Sequence, residues 1–138
     1  MSTARILFVC TGNSARSQMA EALVNHKGKG RVEAESAGSH PASQVNPLAL
    51  DTLRDFGVPW GGRPPRRVDG LEHLHWDYVI TVCDRAKESC PVFPGGPQQA
   101  HWSLPDPHDK AAFRATFLDL SRRIDLLLAT LGSPQSLT

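Results

Sequence analysis

Cysteine is scarce in this chain of 138 residues, which holds three, and an odd count cannot be fully paired within one molecule. Nothing at the N-terminus reads as a secretory signal. A single arginine precedes the apolar run Ile6 to Val9, which is too short for a signal core or a membrane span. These shortfalls argue against a structural disulfide framework and predict a cytoplasmic protein, because the cytosol keeps thiols reduced. The cysteines are then either reactive thiols or small buried hydrophobes.

Net charge is also low, at +1. Without a broad basic surface the footprint of a nucleic-acid binder is missing, so anion recognition should be local and the ligand small. The six histidines, including His73 and His75 beside Trp76, do not combine with carboxylates or cysteines into a metal-ligand pattern, and no metal is expected. Internal repeats and low-complexity tracts are lacking too. What remains is ordinary for a globular protein, with 40% hydrophobic and 21% charged residues. The length suits one domain over residues 1–138, with the tail Ser133 to Thr138 expected to fray and a monomer as the default.

Periodicity gives the elements. Arg5 to Cys10 reads as a buried strand, followed by the turn residues Thr11-Gly12-Asn13. From Ser17, apolar residues recur at helical spacing (Met19, Ala20, Leu23, Val24) until Gly28 and Gly30. Arg31 to Ala37 suggests a second strand and Asn46 to Phe56 a second helix, capped by Gly57. Val58 to Arg67 is a loop, Val68 to His73 a short helical turn and Tyr78 to Val82 a strand. Ala100 to Leu104 is the candidate fourth strand, and Lys110 to Leu131 a long closing helix with Phe113, Phe117, Leu120, Ile124, Leu127 and Leu128 on one face. Strands alternating with helices imply an α/β fold: a three-layer sandwich with a four-stranded, mostly parallel sheet covered by helices.

Ligands of open parallel sheets bind at the carboxyl ends of the strands, and Cys10, Cys83 and Asp106 fall at or just beyond such ends. Cys10 and Arg16 bracket five residues between a strand and a helix. Backbone N–H groups of Thr11, Gly12, Asn13, Ser14, Ala15 and Arg16 can curl there into a nest for a tetrahedral oxyanion, with Ser17 bracing the loop. Arg16 adds a planar fork that grips two oxygens. The same positive field is expected to depress the pKa of Cys10 and keep it a thiolate nucleophile. Taken alone, Cys83 would read as a core residue at a strand end and Cys90 as a bystander.

The run Val9-Cys10-Thr11-Gly12-Asn13-Ser14-Ala15-Arg16-Ser17-Gln18-Met19-Ala20-Glu21-Ala22 resembles the active-site loop of the low-molecular-weight phosphatase superfamily, and most of all its arsenate reductase branch. Gln18 is the residue that branch often carries where phosphatases have proline. The similarity continues through Ser36-Ala37-Gly38, Asn46-Pro47, Thr81-Val82-Cys83, Cys90-Pro91, His101-Trp102 and Asp106-Pro107. It implies a phosphatase-like fold and a thiol relay on arsenate. Cys10 attacks arsenate, Asp106 protonates the departing oxygen, Cys83 attacks the Cys10 sulfur as arsenite leaves, and Cys90 resolves the resulting disulfide.

No bound cofactor is implied; the reductant is an external thiol donor, thioredoxin or else glutaredoxin with glutathione. Some members bind potassium through residues matching Asn13, Glu21 and Ser36 plus an acidic group, where this chain has Arg63-Pro64-Pro65-Arg66-Arg67. That basic run reads as a filled cation site, a solvated face or a docking surface. A tyrosine phosphatase is the rival reading, although His108 follows Asp106-Pro107 where such phosphatases generally place tyrosine. A non-turnover oxyanion or redox sensor is another.

One geometric expectation stands apart. If residues 83 to 90 are helical, about seven steps of ~1.5 Å hold the two Cα atoms ~10.5 Å apart, beyond the roughly 7 Å a disulfide spans, so the segment must refold to close.

Overall fold

The computed structural model describes residues 3–132; the tail expected to fray, residues 133–138, lies outside them. Four parallel strands form one sheet in the order β2-β1-β3-β4, namely β1 (Ala4–Cys10), β2 (Val32–Gly38), β3 (Tyr78–Thr81) and β4 (Gln98–His101). The helices are α1 (Arg16–Lys27), α2 (Pro47–Asp55), α3 (Asp84–Ser89) and α4 (Lys110–Gly132), with a 3-10 turn at Leu71–His73. Among the described residues no helix is long and apolar enough to cross a membrane.

β1 lies between two strands, so both its edges are paired, and burial of consecutive residues shows both its faces covered, for which an uninterrupted apolar run is what the strand needs. Ile6, Leu7, Phe8 and Val9 are each 0% exposed. At roughly 1.5–3 kcal/mol per fully buried large side chain, this strand anchors the domain. It also delivers Cys10 to the end of the sheet.

α1 is buried over eight successive positions, Ser17 to Val24, including the polar Gln18 and Glu21. Burial of polar groups demands partners, and that demand shapes the site below. α2 starts and stops as its sequence dictates. Asn46 caps it, accepting from the Leu48 N–H at 2.9 Å, with Pro47 opening the helix. Gly57, at φ 74°, ends it in a left-handed turn whose N–H donates to Arg54 while Val58 donates to Leu53. α4 then stacks Phe117 on Phe56 of α2 with ring centroids 4.1 Å apart.

The fourth strand departs furthest from its expected bounds. It runs Gln98–His101 rather than 100 to 104, because its one partner, β3, ends at Thr81 opposite His101. Gln98, Gln99 and Ala100 are exposed on the sheet edge, where a strand carries no apolar signature.

Candidate active site

The loop between β1 and α1 is held from outside by its carbonyls. Those of Cys10, Thr11, Gly12 and Ser14 accept from the N–H groups of Ser39, His40, Ala42 and Asn46, at 2.8 to 3.0 Å. Asn13 O accepts from Gln18 Nε2 at 2.8 Å and Ala15 O from Met19 N at 2.9 Å. In a trans peptide the carbonyl and the next N–H point opposite ways, so the N–H groups of Thr11 through Arg16 turn toward the hollow. The N-terminus of α1 has neither a side-chain cap nor an acidic residue in its first turn, and its positive end faces the same way. Cys10, 2% exposed, sits at the base.

Asn13 is the keystone. Among the described residues it is the non-glycine residue with positive φ, 52°, and every polar atom it owns is engaged. Its N–H donates to Cys10 Sγ at 3.1 Å and its Nδ2 to Ser17 Oγ and Ser36 Oγ, both at 2.9 Å. Its Oδ1 accepts from the Arg66 N–H at 3.0 Å. Gly38 leaves room for it: a Cβ there would stand 2.5 Å from Thr11 O and 3.0 Å from Asn13 N.

Behind Asn13 the polar chain continues inward. Ser36 Oγ donates to Glu21 Oε1 at 2.6 Å, and Arg63 Nη2 bonds the other oxygen. Arg66 pairs with Glu35, which also receives Arg5. Burial raises the Glu21 carboxyl above its ordinary pKa, against Ser36, Arg63 and Arg66, which hold it down. For Glu35 burial also pushes upward, but the Arg66 and Arg5 hydrogen bonds and charges win, and its pKa lies below the ordinary value. Arg63 and Arg66 are therefore structural, whereas Arg67 pairs with Asp69 at the exposed surface.

The potassium site that the resemblance implies does not fit this chain. The Glu21 carboxylate that would hold the ion is already neutralised by a guanidinium, and no step below passes through a cation. Among the described residues no group of three or more His, Cys, Asp and Glu is arranged to hold a metal.

On the open side, Thr11, Arg16, Cys83, Asp84, Arg85, Leu104, Pro105 and Asp106 line a cavity of about 330 Å³. Arg16 is aimed by Nη1 donating to Leu104 O at 2.8 Å, and its Nη2 lies 3.7 Å from Asp106 Oδ1. Cys83 Sγ is 3.2 Å from Thr11 Oγ1, which brings the second thiol to the anion loop. Cys90 is not there. It stands at the far end of α3 in a separate cavity with Thr81 and His101; the six residues between the two cysteines are helical and the cysteines themselves extended, so the separation expected of a helical segment stands between them.

One expectation is corrected. Burial pushes the Cys10 thiol above its ordinary pKa, where the helix end was expected to depress it; hydrogen bonds from Ser17 and Asn13 offset only part of that cost, and nearby Cys83 adds to it. Ser17 Oγ, 2.9 Å from Cys10 Sγ, is thus more than a brace, because it holds the charged form directly.

Arg85 and His101 went unassigned in the sequence. An arginine two residues past a strand-end cysteine was the available signal for Arg85. For His101 there was only its place at the end of a strand.

This loop, acid and sheet define the class, and the chain belongs to the low molecular weight phosphotyrosine protein phosphatase family, whose model matches residues 5–136. Its named relatives point further within that class. It is 34% identical over 105 residues to arsenate reductase 2 of Staphylococcus epidermidis, covering 76% of this chain and 79% of that protein. It is 36% identical over 109 residues to an arsenate reductase of Shouchella clausii, 78% of this chain and 76% of the relative.

Solved structures agree. A thioredoxin-dependent arsenate reductase from Corynebacterium glutamicum superposes with a TM-score of 0.80 at 32% identity, covering 94% of this chain and 62% of that one. An arsenate reductase from Archaeoglobus fulgidus gives 0.76 at 33%, covering 90% and 98%.

Proposed function

We propose that this protein is an arsenate reductase, a monomeric cytoplasmic domain that converts arsenate to arsenite with electrons from an external dithiol. The observation that carries this reading is Cys83 Sγ against Thr11 of the anion loop, with Cys90 at the other end of the same short helix. Phosphoryl transfer has no use for either thiol. The relatives above, named for this reaction, support it.

In this reading the N–H groups of Thr11 to Arg16 and the Arg16 fork hold arsenate over Cys10. The Cys10 thiolate attacks arsenic and Asp106 protonates the departing oxygen, leaving an arsenic–sulfur bond. Cys83 attacks the Cys10 sulfur. The arsenic–sulfur electron pair stays on arsenic, which leaves as arsenite two electrons richer, and Cys10 and Cys83 become a disulfide. Cys90 attacks Cys83, freeing Cys10, and the Cys83–Cys90 disulfide is exposed for reduction. A thioredoxin fits a donor that must reduce such a protein disulfide. No prosthetic group takes part.

The test is arsenate reduction by wild type, Cys83→Ser and Cys90→Ser with thioredoxin or with glutaredoxin and glutathione. Both variants should lose multiple turnover. If wild type reduces no arsenate with either donor while all three proteins hydrolyse an aryl phosphate at the same rate, the protein is a phosphatase. Loss of free thiols without arsenite release would mark a sensor.

A further inference from the structure

At the ends of β3 and β4 and the start of α3, three polar residues form a chain. Thr81 Oγ1 lies 2.7 Å from His101 Nδ1, and His101 Nε2 lies 2.7 Å from Asp84 Oδ1, which also accepts from Ser103 Oγ at 3.1 Å. With Nε2–H donating to the carboxylate, Nδ1 keeps its lone pair and accepts from the threonine hydroxyl. Thr81 and His101 line a cavity of about 210 Å³ together with Cys90. The imidazole is mostly covered, 20% exposed. An array of hydroxyl, imidazole and carboxylate beside a thiol is the arrangement that activates a nucleophile.

We propose that Thr81, His101 and Asp84 form a proton relay that takes the proton from Cys90 when that thiol attacks the disulfide joining Cys10 to Cys83. The proposal rests on the thiol-relay reading above and adds the missing base. Cys90 needs one, since burial alone acts on its thiol and raises its pKa.

In the step, with α3 still closed, Cys90 passes its proton to the Thr81 oxygen as the Thr81 proton moves to His101 Nδ1. The imidazolium is held by Asp84, a positioning residue. As α3 opens, the Cys90 thiolate attacks Cys83 Sγ, the Cys10–Cys83 bond breaks, the Cys83–Cys90 bond forms, and Cys10 leaves as a thiolate held by Ser17 Oγ and the Asn13 N–H. The exchange involves no net oxidation. The groups facing the imidazole are Thr81 from β3, Asp84 from α3, and Cys90 across the cavity.

The experiment is a single turnover without thioredoxin. Reduced protein is mixed with arsenate, quenched with an alkylating reagent at timed intervals, and its disulfides are mapped by mass spectrometry. His101→Gln should release its first arsenite, a step of Cys10 and Cys83, yet accumulate the Cys10–Cys83 disulfide. Conversion to Cys83–Cys90 should slow at least about tenfold at neutral pH, and the deficit should close as pH rises and Cys90 ionises unaided. Thr81→Val, nearly isosteric, should shift in the same direction and decides the matter if the histidine variant does not fold.

Conversion at the wild-type rate in both variants overturns the inference, as does a deficit unchanged across pH, which would mean a purely structural part. Multiple turnover by Cys90→Ser would instead overturn the thiol relay beneath it.

Discussion

The two sides of the anion loop are built on opposite plans. Toward β2, Asn13, Ser17, Gln18, Glu21 and Ser36 are all 0% exposed and locked in one polar chain backed by arginines. Toward β4, α3 is a helix of six residues, too short to be stable alone, with extended residues Cys83 and Cys90 at its ends and Asp84, Arg85 and Glu88 exposed. A site that must recognise a tetrahedral anion gains from groups fixed in advance, because nothing reorganises when charge arrives. A segment that must bring two distant sulfurs into contact gains from being cheaply unfolded. Binding and electron transfer are thus divided between a stiff flank and a soft one.

The largest effect should come from breaking the stiff flank at its charge pair. Arg63→Ala leaves the Glu21 carboxylate, 0% exposed, without its main partner, and loss of one member of a buried pair costs about 3–5 kcal/mol. Glu21 already takes up a proton more readily folded than unfolded, so its contribution to stability is largest in acid and fades as pH rises. The variant's deficit in chemical denaturation should therefore be widest where Glu21 is ionised and narrow as pH falls through its raised folded pKa, above the ordinary carboxylate range of ~4–5. A deficit independent of pH would detach Arg63 from Glu21.

Gly38→Ala probes the same flank by steric pressure. The new Cβ would meet Thr11 O at 2.5 Å, and backbone on both sides leaves nothing flexible to yield. A loss of about 1–3 kcal/mol is expected, with weaker competitive inhibition by inorganic phosphate because the loop is displaced. Unchanged phosphate inhibition would show that the loop tolerates the shift.

Ser17→Ala is milder in stability and sharper in chemistry. It removes the hydroxyl that helps Cys10 ionise, raising a pKa that burial already raises, so arsenite release in a single turnover should fall about tenfold or more at neutral pH. The thiolate fraction grows with pH in both proteins, and their rates should converge in alkali. Parallel pH profiles would assign Ser17 to bracing alone.

What could be read from the chain follows the same division. Cys10, Arg16 and the intervening loop were legible because strand, turn and helix are contiguous and their chemistry is local. A basic side chain in place of a cation beside Glu21 was one reading of the run Arg63 to Arg67, but it could not be chosen over a solvated face, since Arg63 and Arg66 reach Glu21 and Glu35 across 42 and 31 residues. The direction of the Cys10 pKa was misjudged for a related reason: a helix end can be seen in a sequence, but desolvation is a property of everything packed around the sulfur. β4 was misplaced because an exposed edge strand lacks the alternation that reveals a covered one.

The gentlest probe changes no residue. Hydrogen exchange of the reduced protein should find amides of residues 19–24 and 36–38 protected to near the global stability, because they are bonded within α1 and the sheet and lie in the core. Amides of residues 84–92 should exchange by local opening, held mainly by Ala86 in the core and by Asp84 at the helix start. Oxidation to the Cys83–Cys90 disulfide requires the helix to give way, since ~10.5 Å between its ends exceeds what the bond spans. Protection should therefore change across residues 84–92 and stay constant at 19–24 and 36–38. Equal protection of the first segment in both redox states would remove the contrast between a stiff binding flank and a soft electron-carrying one, and a change confined to 19–24 and 36–38 would reverse it.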